Sequence, residues 1–152
     1  LDVSDMNEIK DGSIDVINAT ELFEHVEETE QGLSECCRVL KNDGIMILSA
    51  PFLYPIHADP FDFQRWTIDK WKKELKKIGF KIEKFEIMGR YFTVVADYVK
   101  FAIKSVPRPV KYLLYVFYPF LDLLVKLDES SFIRNHPRLG KFHGGYFIIG
   151  RK

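Results

Sequence analysis

The residues best suited to chemistry lie in FLYPIHADPFDFQRWT, residues 52–67, which holds a histidine, two aspartates, an arginine and five aromatic side chains. His57 can act as a general base on a hydroxyl or amine, because an unperturbed imidazole has a pKa of about 6.5. Asp62 can orient that imidazole or take the proton itself, and the planar fork of Arg65 matches a carboxylate or phosphate. The alternative is that Asp62 and Arg65 pair and hold the segment in shape, with Tyr54 and the other aromatic side chains as a small core.

A second group of polar residues lies earlier, in ATELFEHV, residues 19–26. Thr20 can cap a short helical turn that carries Glu24 and His25. His25 is a further candidate for a role in the site. The alternative is that the apolar neighbours pack inward while Glu24 and His25 are solvated or structural, and for Glu24 we prefer this interpretation.

The sequence predicts no metal site. Metal-binding histidines and cysteines usually recur at short spacings, whereas the histidines are scattered and Cys36 and Cys37 are adjacent inside a predicted helix. Adjacent cysteines make no disulfide framework, which favours a reduced, cytoplasmic protein. The four histidines are His25, His57, His136 and His143.

Both polar segments follow predicted β-strands. Ile14 to Ile17 form a short apolar strand, and a helix capped by Thr29 follows it. Asn42-Asp43-Gly44 ends that helix, and Ile45 to Leu48 form a second buried strand. Strand, helix and strand with short turns predict a right-handed parallel crossover. Open α/β sheets bind their ligands beyond the carboxyl ends of such strands, which is where the polar segments lie.

Four pieces of this region, in their order and spacing, resemble the C-terminal half of class I S-adenosylmethionine-dependent methyltransferases (methyltransferase type 11-like): DGSIDVI, ATELFEHV, RVLKNDG and IMILSAPF. The resemblance covers residues 1–87 and 144–152. It implies an α/β fold, a Rossmann-like three-layer sandwich whose mixed sheet has the strand order 4-5-7-6. Ile14 to Ile17 would be strand 4, and the last strand would run antiparallel between strands 5 and 6.

The resemblance also assigns residues to the methyl donor, S-adenosylmethionine (SAM). Asp2 would accept a hydrogen bond from the adenine amino group, the N–H of Val3 would meet a ring nitrogen, and Met6 would cover the ring. Asn18 and Thr20 would lie beside the methionine part of the cofactor. The implied activity is methyl transfer to an oxygen or nitrogen of a small-molecule acceptor, or of one linked to a lipid or saccharide.

The segment after the second strand resembles a subset of the family with His, Pro-x-Asp and Arg-x-Thr at this place. That subset is often met among enzymes of surface-polysaccharide or lipid pathways. On this resemblance His57, Asp62 and His25 are the catalytic candidates. Arg65 and Tyr54 are the candidates for binding the acceptor.

The Gly-rich turn of the family has no counterpart in the sequence, because Gly144-Gly145 is a lone pair followed by a strand. We therefore expect a fold that is incomplete at its N-terminal side, as a fragment or a natural truncation, and negligible SAM binding by this chain alone. The competing interpretation is a methyltransferase-like remnant that acts as a non-enzymatic interaction or dimerisation module. The strand at residues 14–17 would then be an exposed edge that favours a homo-oligomer.

Residues 91–127 depart from the family pattern and are predicted to be helical, with a break at Pro107 and Pro109. We expect a helical insertion or lid within a single domain of residues 1–152, or a surface that docks a second subunit. Peripheral contact with a membrane is a further option, since basic residues flank the segment. A transmembrane span is not expected, because the apolar run contains Pro119 and Asp122 and is shorter than about 20 residues.

The composition favours one domain, since 152 residues with 47% hydrophobic side chains are ample for a core. The net charge is zero, but the first 50 residues hold twelve acidic and three basic side chains, which leaves the remainder basic. We interpret this as two oppositely charged sets of helix faces. The predicted partner is a small-molecule acceptor and not a nucleic acid, and no signal peptide is predicted.

Overall fold

Four strands and six helices make up the part of the chain that the computed structural model describes, residues 2–57 and 60–152. The strands are β1 (Ile14–Thr20), β2 (Leu40–Pro51), β3 (Lys81–Met88) and β4 (Gly145–Arg151). The helices are α1 (Thr29–Val39), α2 (Ile68–Ile78), α3 (Tyr91–Ser105), α4 (Arg108–Leu114), α5 (Tyr118–Val125) and α6 (Ser131–Asn135). Short 3-10 turns occur at Phe23–His25, Tyr115–Phe117, Lys126–Glu129 and Leu139–Lys141.

The chain forms two compact units. The first consists of Leu1–Phe52, Ile56–Glu86 and Tyr146–Lys152, and it contains α1, α2 and most of the sheet. The second consists of Leu53–Pro55 and Ile87–Gly145, and it contains α3 to α6. The helical segment that departs from the family pattern lies in the second unit, and its role as an insertion or lid stays a prediction.

The sheet confirms the predicted parallel crossover. β1 and β2 are parallel neighbours, with Val16 opposite Ile45. The full strand order is β1-β2-β4-β3, so the last strand lies between the second and the third, as the predicted order requires. The N–H of Lys152, just after β4, donates to the C=O of Gly44 near the start of β2. β4 therefore runs antiparallel to β2.

The core of the first unit lies where α1 and α2 pack against the sheet. Helix α1 buries Leu33, Cys36 and Val39, as an apolar stripe at helical spacing predicts. The ring of Tyr146 lies in the core, with its centroid 5.7 Å from that of Phe52 and 5.5 Å from that of Phe85. The other large apolar side chains that are fully buried among the described residues of this unit are Phe23, Leu40, Met46, Leu48, Leu75 and Ile148.

Two predicted boundaries of α1 are wrong. Thr29 is the first residue of the helix and not its cap, and its hydroxyl donates to the C=O of Val26 at 2.8 Å. Asn42-Asp43-Gly44 does not end the helix, since α1 ends at Val39 and β2 begins at once. The register with β1 shifts at this point, and Asp43 has a φ of +64°. The turn residues are thus accommodated as an irregularity inside the strand.

The boundaries of α2 agree with the sequence. The Thr67 hydroxyl accepts a hydrogen bond from the N–H of Lys70 at 3.4 Å. Gly79 ends the helix with a φ of +113°, a left-handed conformation that glycine adopts without a steric penalty. The cap residue and the glycine were therefore sufficient to place both ends of this helix.

Both cysteines are free thiols on α1. Cys36 is buried, and burial raises the pKa of its thiol to about 12. Burial also raises the pKa of Cys37, whose sulfur lies 3.6 Å from the C=O of Ile78 on α2. The expected absence of a disulfide framework follows from this arrangement of adjacent helical residues.

A buried carboxylate organises the second unit. Asp128 accepts hydrogen bonds from the backbone N–H groups of Arg90, Phe92 and Thr93 at 2.8–3.0 Å and from the Thr93 hydroxyl at 2.7 Å. These N–H groups lie at the start of α3, and the first N–H groups of a helix have no hydrogen-bond acceptor within the helix. A negative charge at this end also interacts favourably with the helix dipole. Asp128 therefore serves as the cap of α3.

The helices of the second unit expose a large amount of apolar surface. Tyr112, Leu113 and Val116 are each 65–72% exposed. Phe101, Phe117, Phe120 and Leu123 are more than half exposed as well. Among residues 2–57 and 60–152, no helix is long and apolar enough to cross a membrane.

Candidate functional site

The parallel strands β1 and β2 bring two polar segments to the same edge of the sheet. Glu24 and His25 lie in the 3-10 turn that follows β1, and His57 lies in the segment that follows β2. The imidazole rings of His25 and His57 meet edge to face, with centroids 5.1 Å apart. The structure thus joins residues from the two segments that the sequence singled out.

The segment after β2 is held against the turn after β1 by hydrogen bonds to the backbone carbonyls of that turn. The N–H of Phe63 donates to the C=O of Glu24 at 2.8 Å. The side-chain amide of Gln64 donates to the C=O of Val26 at 2.8 Å and to that of Phe23 at 3.2 Å, and it also contacts the hydroxyl of Thr29. These contacts, made by residues to which the sequence assigned no role, set the position of the site.

Glu24 is buried and therefore not solvated, and its interpretation as a structural residue stays a prediction. Its side chain is only 1% exposed, and neither carboxylate oxygen accepts a hydrogen bond from another residue within the described part of the chain. Its Oε1 lies 3.7 Å from Nε2 of His25 and 3.9 Å from Nε2 of His57. Burial raises the pKa of Glu24, and the two imidazoles oppose that shift.

Asp62 and Arg65 form the pair that the sequence left open as an alternative. The guanidinium binds both carboxylate oxygens, with Nη2 to Oδ2 at 2.6 Å. Asp62 also accepts the N–H of His57 at 3.0 Å, and its Oδ2 lies 3.4 Å from Nδ1 of that imidazole. The hydrogen bonds from Arg65 lower the pKa of Asp62 to about 2. Such a carboxylate is a weak base, so it is suited to orienting His57 and not to taking the proton.

The other catalytic candidate, His25, is held by the segment after β2. Its Nδ1 lies 2.6 Å from the C=O of Phe61. Because a carbonyl oxygen only accepts, Nδ1 carries the proton, and Nε2 presents a lone pair toward Glu24 when the ring is neutral.

A strained turn at the end of β1 was not predicted. Glu21 has a φ of +49°, which is uncommon for a residue other than glycine. Its carboxylate accepts a hydrogen bond from the Ser49 hydroxyl at 2.7 Å, and its N–H donates to the C=O of Ser49 at 3.0 Å. Ser49 lies on β2, so this pair holds the ends of both strands together beside the site.

Three of the five residues assigned to the cofactor lie together. Asp2, Val3 and Met6 line a cavity of about 670 Å³ that also involves Leu22 and Val26, which flank the turn after β1. Asp2 accepts hydrogen bonds from the N–H and hydroxyl of Ser4 at 2.8 and 2.6 Å, and these bonds lower its pKa. The carboxylate is therefore ionised at neutral pH and able to accept from a ligand.

The remaining candidates lie elsewhere. Asn18 and Thr20 are exposed on β1 and do not line that cavity. The prediction that Thr20 caps the following turn is wrong, because the turn begins after Leu22 without a side-chain cap. Tyr54 is 44% exposed and belongs to the second unit. Its role with the acceptor stays a prediction.

The prediction of no metal site rested on sequence spacing, which does not show side chains that the fold brings together. Glu24, His25 and His57 can each offer one ligand atom, and these atoms lie within 4.8 Å of one another. Sequence spacing did not show this group, because His57 lies in a different segment from Glu24 and His25.

Comparison with known proteins agrees with this architecture. Residues 1–48 match the profile of the family described as "Methyltransferase domain". No curated protein matches the chain in sequence.

Several solved structures share the fold. A SAM-dependent methyltransferase from Archaeoglobus fulgidus aligns with a TM-score of 0.60 and 16% identity, covering 100% of this chain and 66% of its own. The [4+2]-cyclase SpnF aligns with a TM-score of 0.58 and 16% identity, covering 100% of this chain and 54% of its own. Phosphoethanolamine N-methyltransferase 2 of Haemonchus contortus, solved with S-adenosyl-L-methionine, aligns with a TM-score of 0.54 and 18% identity, covering 95% and 34%.

The fold is therefore that of the class I SAM-dependent methyltransferases. The match over residues 1–48 links the chain to the methyltransferase-domain family in sequence as well. The chain spans between one third and two thirds of the length of the three solved structures.

We predict that Gln64→Leu weakens the site's attachment to the sheet. The substitution removes the two hydrogen bonds that the Gln64 amide donates to the carbonyls of Phe23 and Val26, so the free energy of unfolding should fall by about 1–3 kcal/mol. Urea denaturation followed by circular dichroism measures this loss.

The matched control is Gln31→Leu, because the exposed Gln31 amide donates a single hydrogen bond, to the C=O of Ser4. Its loss should cost less than about 1 kcal/mol. Equal losses in the two variants would show that Gln64 is not the fastening residue.

Proposed function

We propose that this chain serves SAM-dependent methyl transfer to an oxygen or nitrogen of a small-molecule acceptor, or of one linked to a lipid or saccharide. The observation that carries the proposal is the arrangement at the carboxyl ends of β1 and β2. A cavity lined by Asp2, Val3 and Met6 lies beside the turn that holds Glu24 and His25.

The residues of the cavity fit an adenine ring. Met6 is buried and apolar, and its backbone is fixed because its N–H donates to Glu35 at 3.0 Å and its C=O accepts from Arg38 at 2.9 Å. Asp2 would accept from the adenine amino group, and the N–H of Val3 would donate to a ring nitrogen. Asn18 and Thr20 remain proposed neighbours of the methionine part.

Methyl transfer needs alignment and the removal of a proton. Bound SAM would supply a methyl group on its sulfonium sulfur, which the acceptor oxygen or nitrogen would take in line, with S-adenosylhomocysteine as the leaving group. We propose that His57 removes the proton of the acceptor, and that Asp62 orients His57 from the Nδ1 side of the ring. Such general base catalysis contributes about 10²- to 10⁴-fold to the rate. Arg65 and Tyr54 are proposed to contact the acceptor.

SAM binding by this chain alone should be negligible. Two or three adenine hydrogen bonds contribute about 0.5–1.5 kcal/mol each, whereas immobilising a ligand costs roughly 4–15 kcal/mol. Isothermal calorimetry on the 152 residues should therefore show no micromolar binding. A dissociation constant in the micromolar range would overturn this expectation and mean that the cavity holds more of the cofactor than its adenine ring.

The methyl-transfer activity is tested in the longest protein that the natural reading frame encodes. His57→Asn should lower the turnover number by about 10²- to 10⁴-fold while the affinity for SAM stays unchanged, because the base acts on the acceptor and not on the donor. Formation of S-adenosylhomocysteine against candidate acceptors is the measurement.

His136→Asn is the matched control, since His136 lies in the second unit and its Nδ1 accepts from backbone N–H groups, as an asparagine oxygen can. The fold alone does not fix the reaction, because a [4+2]-cyclase shares it. SAM binding without any methylated product would therefore reject the proposed activity.

A second candidate function is self-association, in which the chain acts as an interaction module. β1 is at the edge of the described sheet, and Val16 on it is 54% exposed. An edge strand offers unpaired backbone groups to another chain. The competing surface for the same role is the apolar face of the second unit around Leu113.

We predict that Val16→Lys converts a self-associated form to a monomer in sedimentation velocity, because a charge on an edge strand opposes pairing. Leu113→Lys is the comparison variant and should leave association unchanged. The opposite pattern would assign association to the helices, and a monomeric wild-type chain would reject this candidate.

A further inference from the structure

We propose that Glu24, His25 and His57 bind one divalent transition-metal ion, with Zn²⁺ as the best match. The proposal rests on the geometry of the three side chains and requires neither SAM nor methyl transfer. If the proposed function is correct as well, the metal would lie where the acceptor's hydroxyl or amine must lose its proton.

The spacing of the ligand atoms is close to what a metal requires. Ligand atoms about 2.0–2.1 Å from a tetrahedral zinc ion lie about 3.3–3.4 Å apart. Oε1 of Glu24 lies 3.7 Å from Nε2 of His25 and 3.9 Å from Nε2 of His57. The three ligand atoms lie within 4.8 Å of one another, so side-chain shifts of about 1 Å would bring them to the separations of a tetrahedral site.

The state of Glu24 is a second, independent observation that points to a cation. The side chain is 99% buried, and neither oxygen accepts a hydrogen bond from another residue that the structure describes. A buried carboxylate that receives no hydrogen bond from another residue is costly. The distances of 3.7 and 3.9 Å to the imidazoles are too long for hydrogen bonds. A metal ion placed between the three groups would satisfy the carboxylate.

Both imidazoles are oriented as metal ligands usually are. A ligating histidine typically gives its second nitrogen to a carbonyl or carboxylate, which fixes the ring and its tautomer. Nδ1 of His25 is held by the C=O of Phe61 at 2.6 Å. Nδ1 of His57 lies 3.4 Å from Oδ2 of Asp62 and 3.5 Å from Nη2 of Arg65, which is itself bound to that carboxylate oxygen. In each ring Nε2 is the atom turned toward Glu24.

The ligand types select the metal. Two imidazoles with one carboxylate match the ligand set of catalytic zinc sites, which keep one position open for water or substrate. The same set also suits iron(II). Magnesium prefers oxygen ligands and retains its waters, so it should bind much more weakly. His57 is 39% exposed, which leaves an approach to the open position.

The open position gives the metal a chemical role. An acceptor hydroxyl bound there would lose its proton more readily, as zinc-bound water does with a pKa of about 7. His57 would then be a ligand and not the base. His57→Asn lowers turnover in either case, whereas removal of the metal lowers turnover only if the cation takes part.

The test is a metal titration of the wild-type chain. The protein is dialysed against EDTA and then titrated with ZnCl₂ in competition with a chromophoric chelator, without SAM. We expect one zinc ion per chain, and Co²⁺ in place of zinc should give the visible absorption of a tetrahedral site. Failure of both measurements on the wild-type chain would overturn the proposal, whatever the outcome of the methyl-transfer assay.

Variants then locate the ion. Glu24→Gln and His57→Asn should each weaken zinc binding at least tenfold. Glu28→Gln, an exposed acid four residues from Glu24, and His136→Asn should leave the affinity unchanged. Zinc binding that is unaffected in both site variants, with far-UV circular dichroism showing that they are folded, would assign the ion to another surface and reject this site.

Discussion

The candidate site depends on the fastening of two chain segments across the ends of two parallel strands. Parallel pairing of β1 and β2 brings their carboxyl ends to one edge of the sheet. Pairing alone would leave the following segments free to diverge. The Gln64 side chain and the Phe63 N–H tie the later segment to carbonyls of the earlier one. The placement of His57 against Glu24 and His25 depends on those hydrogen bonds, together with the one between His25 and the C=O of Phe61 and the one between His57 and Asp62.

Two carboxylates in this region have opposite environments, and this contrast defines what each can do. Asp62 is buried but paired with Arg65, so its charge is stable and its pKa is low. Glu24 is buried without such a partner, so burial raises its pKa. Because Arg65 pairs with Asp62, Asp62 can serve as an orienting group. Glu24 has no arginine beside it among the described residues, so its buried charge requires a proton or a cation. Groups with a perturbed pKa of this kind are common at functional sites.

The strands and the second helix were readable from the sequence because their signals are local. Apolar runs between turn residues located β1 and β2, and Thr67 and Gly79 located the ends of α2. Only part of the candidate site could be predicted from the sequence. His57 and Asp62 stood out by their residue types, but the burial of Glu24 depends on how a loop forty residues later covers it. The boundary at Asn42-Asp43-Gly44 failed because β2 already begins at Leu40, which pairs with Ile14, and the turn residues form an irregularity before pairing resumes at Ile45.

The cysteines of α1 have a practical consequence. Thiol reagents attack the thiolate, and a thiol with a pKa of about 12 supplies almost none at neutral pH. Cys37 is shifted in the same direction. A new cysteine placed on an exposed loop would therefore react with a maleimide dye well ahead of the native pair. Fluorescent labelling at a chosen position can proceed in the wild-type background, with α1 left intact.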